Sequence, residues 1–344
     1  MNEIKMAIIG AGTWGATHAA IYSEYAAVKL AGICDRDRAK AEALAAKYGV
    51  PDKHVYTDHR DMIKHCDFDA CAVVTPDFLH RDFAVDLASA GKHILLEKPM
   101  ATTRSDVADV MDAVERSGVR LMVDLHNRFS PPFAVAKQAL DDGEIGDPYN
   151  AYFRLNDAKW VATDMLPWAA KSSILWFLGS HSTDTLRWFF NDEVDTVYSV
   201  SRKGILSGLG VDTDDVFQTI LEFKRGGIAT MENGWITPNA HPCVNDIKFN
   251  ITGTKGMFNL DLSNSQMIER FTDTASDRPD VLVKHFVHGR AMGFAYQSIR
   301  HFVDRLIDGK PFLLTPLDAA NTSLVILAIM ESAKKREPVK VKYL

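Results

Sequence analysis

The stretch Ile4-Lys-Met-Ala-Ile-Ile-Gly10-Ala-Gly12-Thr-Trp-Gly15 decides the fold of the first part of the chain. An apolar run leads directly into three glycines, and a helical pattern follows them. The chemistry of such a turn needs glycine at Gly10 for tight bending, at Gly12 for close approach of a pyrophosphate, and at Gly15 for close packing of helix on strand. The pattern therefore predicts a strand, a turn and a helix whose free N–H groups face phosphate.

The same rhythm continues through the first 125 residues. Short apolar runs alternate there with segments of helical spacing, which indicates an α/β fold with a parallel sheet covered on both faces. Right-handed crossovers make a doubly wound sheet the expected topology. We assign residues 1–125 to this domain, with strands at Ile4–Ile9, Val28–Cys34, Ala70–Val74, His93–Leu96 and Arg120–Val123.

A second domain is expected over residues 126–344, because strand candidates there follow one another without intervening helices. Period-two alternation in Ile247–Thr252 indicates a sheet with one buried face and one open face. We therefore predict an α+β domain with a large, open, mostly antiparallel sheet. Two closing helices, Phe294–Leu306 and Leu317–Arg336, are left free to pack on either domain. The predicted strands are Val194–Ser201, Val216–Phe223, Ile228–Trp235, Asp246–Thr252 and Gly256–Leu262.

Length and composition agree with two domains and exclude several classes of protein. The chain has 344 residues, of which 47% are apolar, and a single core rarely grows to that size. A net charge of −6 without a basic stripe argues against nucleic acid as a partner. Four scattered cysteines, with no targeting segment and no spanning apolar stretch, predict a cytoplasmic protein with no membrane partner. His285 and His288 have no further ligand at suitable spacing, so no metal site is expected.

An acidic residue ends the second predicted strand. Asp35 is placed to accept hydrogen bonds from the adenosine ribose of a dinucleotide, and its charge would repel a 2′-phosphate. NAD is therefore the expected cofactor, although Arg36 leaves NADP possible. The alternative is that Asp35 only caps the helix that follows. His18, one turn into the first helix, is expected to be a packing or capping residue.

Two residues have the chemistry of an acid or base for an alcohol dehydrogenation. Lys98 lies in Glu97-Lys98-Pro99 at the carboxyl end of a parallel strand, where ligands of open sheets bind. A surface ion pair with Glu97 is an equal alternative for it. His181 has a suitable ordinary pKa, and Asp184 lies three residues on. Spacing alone favours a packed core histidine for His181.

These residues and motifs resemble the glucose–fructose oxidoreductase and inositol dehydrogenase family, often called Gfo/Idh/MocA. The resemblance runs over essentially the whole chain, and Glu97-Lys98-Pro99 is its most specific mark. It implies a Rossmann domain and an NAD(P)-dependent oxidoreductase of sugars, cyclitols or related polyols, with Lys98 and His181 as the catalytic pair. It further implies a homodimer or homotetramer. Its cofactor residues would be Gly10, Gly12, Thr13, Trp14, Gly15, Asp35, Arg36, Thr75, Pro76, His80, Glu97 and Lys98, and the pocket would include Arg128 and Asp184.

One departure from the family pattern bears on the substrate. Many members have an aspartate four residues before the histidine, where this chain has Phe177 after Trp176. Either His181 works with Lys98 alone, or another carboxylate such as Asp157 or Asp164 enters the site, or the substrate is not a simple ring hydroxyl. Aromatic rings near the site would stack on a sugar face or an aglycone. Further pocket candidates are Trp160, Trp168, Trp176, Phe177 and His241.

The predicted activity is hydride transfer between nicotinamide and a ring hydroxyl or ketone of a sugar, cyclitol or glycoside. Two other functions stay open at this stage. One is reduction of a small non-sugar carbonyl compound. The other is a non-catalytic sensor or co-regulator that binds a nucleotide and a protein partner. Lys98 and His181 together favour an enzyme, because a sensor has no need for both.

Overall fold

The chain divides into two compact units. The structure is a computed structural model that describes residues 3–263, 268–274 and 276–344. Unit 1 comprises Met1–His126 and Lys284–Ala320, and unit 2 comprises Asn127–Val283 and Asn321–Leu344. The sequence left the two closing helices free to pack on either domain, and in the structure one of them belongs to unit 1 with the rest of residues 284–320. That segment carried no strand–helix rhythm that would have linked it to the first domain.

Unit 1 is built on a parallel sheet of six strands in the order β3-β2-β1-β4-β5-β6. Its helices connect consecutive strands, so the predicted doubly wound α/β sheet is confirmed. The two-residue β3 was too short to recognise by pattern. The elements are β1 Ile4–Ile9, α1 Thr13–Glu24, β2 Val28–Cys34, α2 Arg38–Tyr48, β3 Val55–Tyr56, α3 His59–His65, β4 Ala70–Val73, α4 His80–Ser89, β5 His93–Leu96, α5 Arg104–Ser117 and β6 Leu121–Val123.

The strands of unit 1 are apolar because both faces of the sheet are covered. Ile8, Ala72 and Leu95 are fully buried in three neighbouring strands. Burial of such side chains contributes about 1.5–3 kcal/mol for each large one. The sheet therefore has little freedom to shift, and its carboxyl ends hold the residues that follow them in fixed positions.

Unit 2 contains a sheet of seven strands in the order β12-β11-β7-β10-β9-β8-β17. Strands β7 and β10 pair in parallel and every other neighbouring pair is antiparallel, as the prediction of a mostly antiparallel sheet required. The elements up to the end of the sheet are α6 Pro131–Asp141, β7 Pro148–Ala158, α7 Ser180–Phe190, β8 Val194–Arg202, α8 Ile205–Gly208, β9 Val216–Phe223, β10 Ile228–Thr237, β11 Asn245–Gly253 and β12 Met257–Asp261.

One face of this sheet is buried and the other is open. Phe153 of β7 and Phe249 of β11 form an aromatic core with Phe189 of α7. On the opposite face Tyr198 of β8 and Ile220 of β9 are exposed. The association of chains into a homodimer or homotetramer stays a prediction.

The remaining elements are two short hairpins, two helices and an edge strand. They are β13 Arg270–Phe271, β14 Ser276–Asp277, β15 His285–Val287, β16 Arg290–Met292, α9 Phe294–Asp308, α10 Pro316–Lys335 and β17 Val339–Lys340. None of the helices within the described ranges has both the length and the apolar character needed to span a bilayer. All four cysteines are free thiols.

Candidate active site

The glycine turn has the geometry that its three glycines were expected to give. Gly10 adopts φ +104°, and a Cβ there would lie 2.1 Å from the carbonyl oxygen of Val74. A Cβ on Gly15 would lie 1.9 Å from the carbonyl oxygen of Gly10. A Cβ on Gly12 would meet nothing within 4 Å, so this backbone faces open space. Gly12 is the N-cap of α1 and no side chain caps the helix, which leaves its first N–H groups to a ligand.

Asp35 is fixed against this turn at the end of β2. Its carboxylate accepts one hydrogen bond from the N–H of Ala11 at 2.7 Å and another from the N–H of Asp37 at 2.8 Å. The side chain that caps α2 is that of Asp37, which accepts from Ala39 and Lys40. The alternative function for Asp35, capping of this helix, therefore belongs to its neighbour, and the carboxylate of Asp35 lies beside the glycine turn.

His80 connects two backbone segments of unit 1 through hydrogen bonds of its ring. The side chain is fully buried at the start of α4. One ring nitrogen lies 2.6 Å from the carbonyl oxygen of Pro99 and the other 3.0 Å from that of Thr75. His80 thus holds the loop after β4, with Thr75 and Pro76, against the segment after β5. Direct contact of Thr75, Pro76 and His80 with a cofactor stays a prediction.

Glu97 is buried and hydrogen-bonded to a residue of α1. Its carboxylate lies 3.1 Å from Nε2 of His18, and Nδ1 of His18 lies 3.2 Å from the hydroxyl of Tyr22. Burial works to raise the pKa of Glu97, but the hydrogen bond and charge of His18 and the charge of Lys98 outweigh it and hold this pKa below its usual value. Glu97 is therefore an ionised group of the interior and not of the surface. Pairing of Lys98 with this carboxylate stays the alternative to a catalytic function of Lys98.

Lys98 is half-buried at the carboxyl end of β5, among ionisable groups that sequence reasoning missed. Asp124 follows β6 directly and is fully buried. His126 lies two residues on, with its ring 6.3 Å from that of Trp14 and 5.5 Å from that of Phe294. Burial and the charges of Lys98 and Lys284, opposed by Glu97, lower the pKa of His126 to about 4. A carboxylate directly after an apolar strand was the available signal for Asp124, and it was treated as part of a domain boundary.

His181 lies in the first turn of α7 and only 5% of it is exposed. A π-helical turn, Leu175–Gly179, leads into this helix. The amide nitrogen of Asn233 in β10 donates to the hydroxyl of Ser182 and to the carbonyl of Leu155 in β7, both at 3.0 Å. The start of α7 is thus tied to two strands of the sheet, which fixes the position of His181 within unit 2.

Arg128 and Asp184 form a buried ion pair with each other. Two guanidinium nitrogens of Arg128 donate to the two carboxylate oxygens of Asp184 at 2.9 and 2.6 Å. Asp184 is fully buried, and the ring of Trp188 lies 5.7 Å from the guanidinium. Contact of this pair with substrate stays a prediction. The geometry supports a different function, which is to hold the segment at residue 128 against α7.

Phe177 packs among aromatic rings of unit 2. It stacks on Trp235 at 6.5 Å and meets Trp168 edge-on at 6.4 Å. Trp176 lies in the hydrophobic core of unit 2, and its contact with a substrate stays a prediction. Trp160 and Trp168 are half-buried, and a ring nitrogen of His241 lies against the backbone of Cys243. Their function as pocket residues stays a prediction.

Two family models match the chain. Residues 4–125 match the oxidoreductase family model with an NAD-binding Rossmann fold, and residues 133–259 match the C-terminal domain model of the same family. The chain belongs to the GFO/IDH/MocA family. It is therefore an oxidoreductase, and unit 1 contains its NAD-binding Rossmann domain.

The relatives of the chain include dehydrogenases named for inositol, levoglucosan and D-apiose. The chain is 26% identical to an inositol 2-dehydrogenase from Salmonella typhimurium, over 90% of this chain and 87% of that protein. It is 28% identical to a levoglucosan dehydrogenase from Pseudarthrobacter phenanthrenivorans, over 81% of this chain and 79% of that protein. The fold matches that of a scyllo-inositol dehydrogenase from Lactobacillus casei, with a TM-score of 0.82, 21% identity and 99% coverage of both chains.

The residues of unit 1 fit an NAD molecule. The open backbone at Gly12, the uncapped start of α1 and the carboxylate of Asp35 are the three features that a dinucleotide requires at this position of a Rossmann fold. Arg36, the residue after Asp35, is a cation that would favour a phosphate. Unit 1 therefore has the features of an NAD-binding Rossmann domain. Selection of NAD over NADP by the charge of Asp35 stays a prediction.

Replacing Asp35 with serine is expected to shift cofactor preference toward NADP. A hydrogen bond to a charged group contributes about 1.5–3 kcal/mol, so we expect the kcat/KM ratio of NAD to NADP to fall by about ten- to a hundredfold. Steady-state kinetics with each cofactor measure this ratio. Asp52→Ser, an exposed carboxylate in the same unit, is the matched control and should leave the ratio unchanged. An unchanged ratio in the Asp35 variant would show that another group selects the cofactor.

Proposed function

We propose that the protein oxidises a ring hydroxyl of a sugar, cyclitol or glycoside to a ketone with NAD, and catalyses the reverse reduction. The observation that carries this proposal is the position of Lys98, half-buried after β5 at the carboxyl edge of an NAD-binding sheet. Ligands of such sheets bind at this edge. The inositol and levoglucosan dehydrogenases among the relatives support this class of substrate.

The chemistry divides between Lys98 and His181 in this proposal. When bound, NAD⁺ accepts the hydride from the carbon that carries the hydroxyl group. His181 accepts the hydroxyl proton, and Lys98 donates a hydrogen bond to the same oxygen while negative charge develops on it. In the reverse direction the protonated His181 returns the proton. Lys98 belongs to unit 1 and His181 to unit 2, and the backbone of each residue is held in place by its own unit.

Asp157 is the carboxylate that we propose for the site in place of the aspartate absent at position 177. It lies two residues after Leu155 on β7, so both side chains are on the helix-covered face of the sheet. The side-chain amide of Asn233 donates hydrogen bonds to the carbonyl of Leu155 and to the hydroxyl of Ser182. These bonds hold this end of β7 close to the first turn of α7. Asp157 is 1% exposed and accepts a hydrogen bond from Asn245. Asp164 is exposed and bonded to Thr163, which favours Asp157.

Asp157→Asn is expected to lower kcat by about ten- to a hundredfold, because a carboxylate that orients or charges a catalytic histidine contributes on this scale. The acidic limb of the pH profile of kcat/KM should also shift downward, since loss of a nearby negative charge lowers the pKa of an imidazole. Asp273→Asn, at an exposed position, is the control. If Asp164→Asn gives the loss and Asp157→Asn does not, the two carboxylates have been assigned in the wrong order.

A substrate panel tests the proposed function directly. Purified protein is mixed with NAD⁺ and hexoses, inositols or aryl glycosides, and the reduced cofactor is followed by its absorbance. We expect turnover with at least one ring polyol and its loss in His181→Ala. Turnover only with small non-sugar alcohols and NAD⁺, or with small carbonyl compounds and NADH, would support the second candidate activity, which the apolar Phe177 favours. Tight NAD⁺ binding without turnover of any compound would support a sensor.

A further inference from the structure

Three buried ionisable side chains form a cluster in unit 1 at the carboxyl ends of β5 and β6. They are His18 of α1, Glu97 after β5 and Asp124 after β6, and one ligand-type atom of each lies within 4.8 Å of the other two. None of the three is more than 8% exposed. The hydroxyl of Ser298, on α9, donates a hydrogen bond to Asp124. The cluster therefore places two carboxyl groups side by side at the carboxyl ends of neighbouring strands.

The two carboxyl groups have different protonation states. Tyr22 keeps its proton, because burial raises the pKa of its hydroxyl well above the usual value. This hydroxyl lies 3.2 Å from Nδ1 of His18. On the other side of the ring, Nε2 of His18 donates to Glu97, which is ionised. Burial and the neighbouring charge of Glu97 raise the pKa of Asp124 well above its usual value, although Ser298 and Lys98 oppose this. The carboxyl group of Asp124 is therefore protonated, whereas the neighbouring carboxyl group of Glu97 is ionised.

We propose that Asp124 releases this proton to solvent when oxidised, positively charged nicotinamide binds, and retains it when the reduced, neutral ring binds. The balance is one O–H bond broken on Asp124, one carboxylate formed and one proton delivered to water. No electron transfer is involved. The proposal rests on NAD binding by unit 1 and not on the identity of the substrate.

Electrostatics give the reason for the release. The groups that face Asp124 are His18 and Tyr22 from α1, Glu97 and Lys98 after β5, His126, and Ser298 from α9. Only Glu97 among them is negative. Ligands of a doubly wound sheet bind outside the carboxyl ends of its strands, which is where Glu97 and Asp124 lie. A positive ring added there, in a poorly solvated environment, stabilises a second carboxylate.

Proton release on cofactor binding is the measurement that tests the proposal. Protein and NAD⁺ are mixed in weak buffer with a pH indicator, and no substrate is present. We expect up to one proton per site with NAD⁺ and none with NADH. By linkage, the Kd of NAD⁺ should fall by up to about tenfold for each unit of rising pH within the titration window, while the Kd of NADH stays flat.

Three variants identify the source of the proton. Asp124→Asn retains the shape of the side chain and the acceptor for Ser298, and it should abolish release and flatten the pH dependence for NAD⁺. Lys98→Arg keeps the positive charge but does not titrate, so it should retain the release. Ser298→Ala removes a hydrogen bond that favours the carboxylate, so it should move the release to higher pH. This shift tests the proposal even if Asp124→Asn does not fold.

Four results would contradict the proposal that Asp124 releases a proton when NAD⁺ binds. Release that persists in Asp124→Asn, or disappears in Lys98→Arg, would assign the proton to another group. Equal release with NADH would show that ring charge is not the trigger. A stoichiometric divalent cation in the purified protein, lost in His18→Gln, would show that the cluster is a metal site instead. Failure of the polyol panel leaves this test unaffected, because it measures binding alone.

Discussion

Lys98→Met is expected to lower kcat by about a thousandfold, within the range of about 10² to 10⁴ that a positioned acid or base contributes. Methionine has a similar length but no charge and no hydrogen-bond donor, so the substrate oxygen would lose its partner as charge develops on it. The change in Kd for NAD⁺ should stay below about tenfold, because Asp35 and the glycine turn hold the rest of the cofactor. Rapid mixing with saturating NAD⁺ and polyol measures the rate of hydride transfer.

The controls separate a function in catalysis from a structural effect. Lys53→Met alters an exposed lysine of the same unit and should retain full activity. Lys98→Arg restores the charge in a different shape and should recover only part of the rate, since guanidinium and ammonium groups differ in geometry. His181→Ala should cause a loss of similar size. Near-normal rates in both Lys98→Met and His181→Ala would show that neither residue has the function proposed for it.

The fold of unit 1 could be predicted because local pattern and global architecture agree there. A parallel sheet covered on both faces needs continuous apolar strands, and these stand out against the helices between them. Gly10 and Gly15 were identified correctly because the backbone approaches them too closely for any Cβ. The position of residues 284–320 in unit 1 was not predictable in this way, because a helix that docks far along the chain has no local signal for its partner.

The sequence of β7 in unit 2 contains a strand signal that the prediction did not include. Ala151, Phe153 and Leu155 alternate with Tyr152 and Arg154, a period-two pattern that marks β7 as clearly as the alternation in β11. The strand is central, because β10 and β11 pair with its two edges. The π-helical turn Leu175–Gly179 could not have been foreseen, since its sequence has the same apolar character as an ordinary buried helix.

The candidate site was predictable where one motif carried the chemistry and less so where distant residues combine. The position of Lys98 at the carboxyl end of β5 was predictable from the strand and from the residues next to it. Asp124 and Ser298 are 174 positions apart, and only the folded sheet and α9 bring them into contact. Arg128 and Asp184, which the resemblance places in the substrate pocket, are 56 positions apart, and only the fold brings them into an ion pair.

Arg128→Met is expected to lower the free energy of unfolding by about 3–5 kcal/mol, because it leaves the fully buried carboxylate of Asp184 without its bidentate partner. Asp184→Leu should cost a similar amount by leaving the guanidinium buried and uncompensated. The double variant Arg128→Met/Asp184→Leu should recover most of the loss, since an apolar pair of similar volume has no charge to desolvate. Urea unfolding of the four proteins, followed by tryptophan fluorescence, gives the coupling free energy of this double-mutant cycle.

The exposed pair Arg38–Glu42 gives the matched contrast, and Arg38→Met should change the free energy of unfolding by less than about 0.5 kcal/mol. Kinetics of the double variant then separate two functions for the buried pair. If Arg128 and Asp184 only hold the segment at residue 128 against α7, the stable double variant should retain most of its activity and its KM for the polyol. If they bind substrate, stability would recover while KM rises strongly, because the lost hydrogen bonds were made to the polyol. Since each oxygen of Asp184 already accepts from Arg128, we expect the first result.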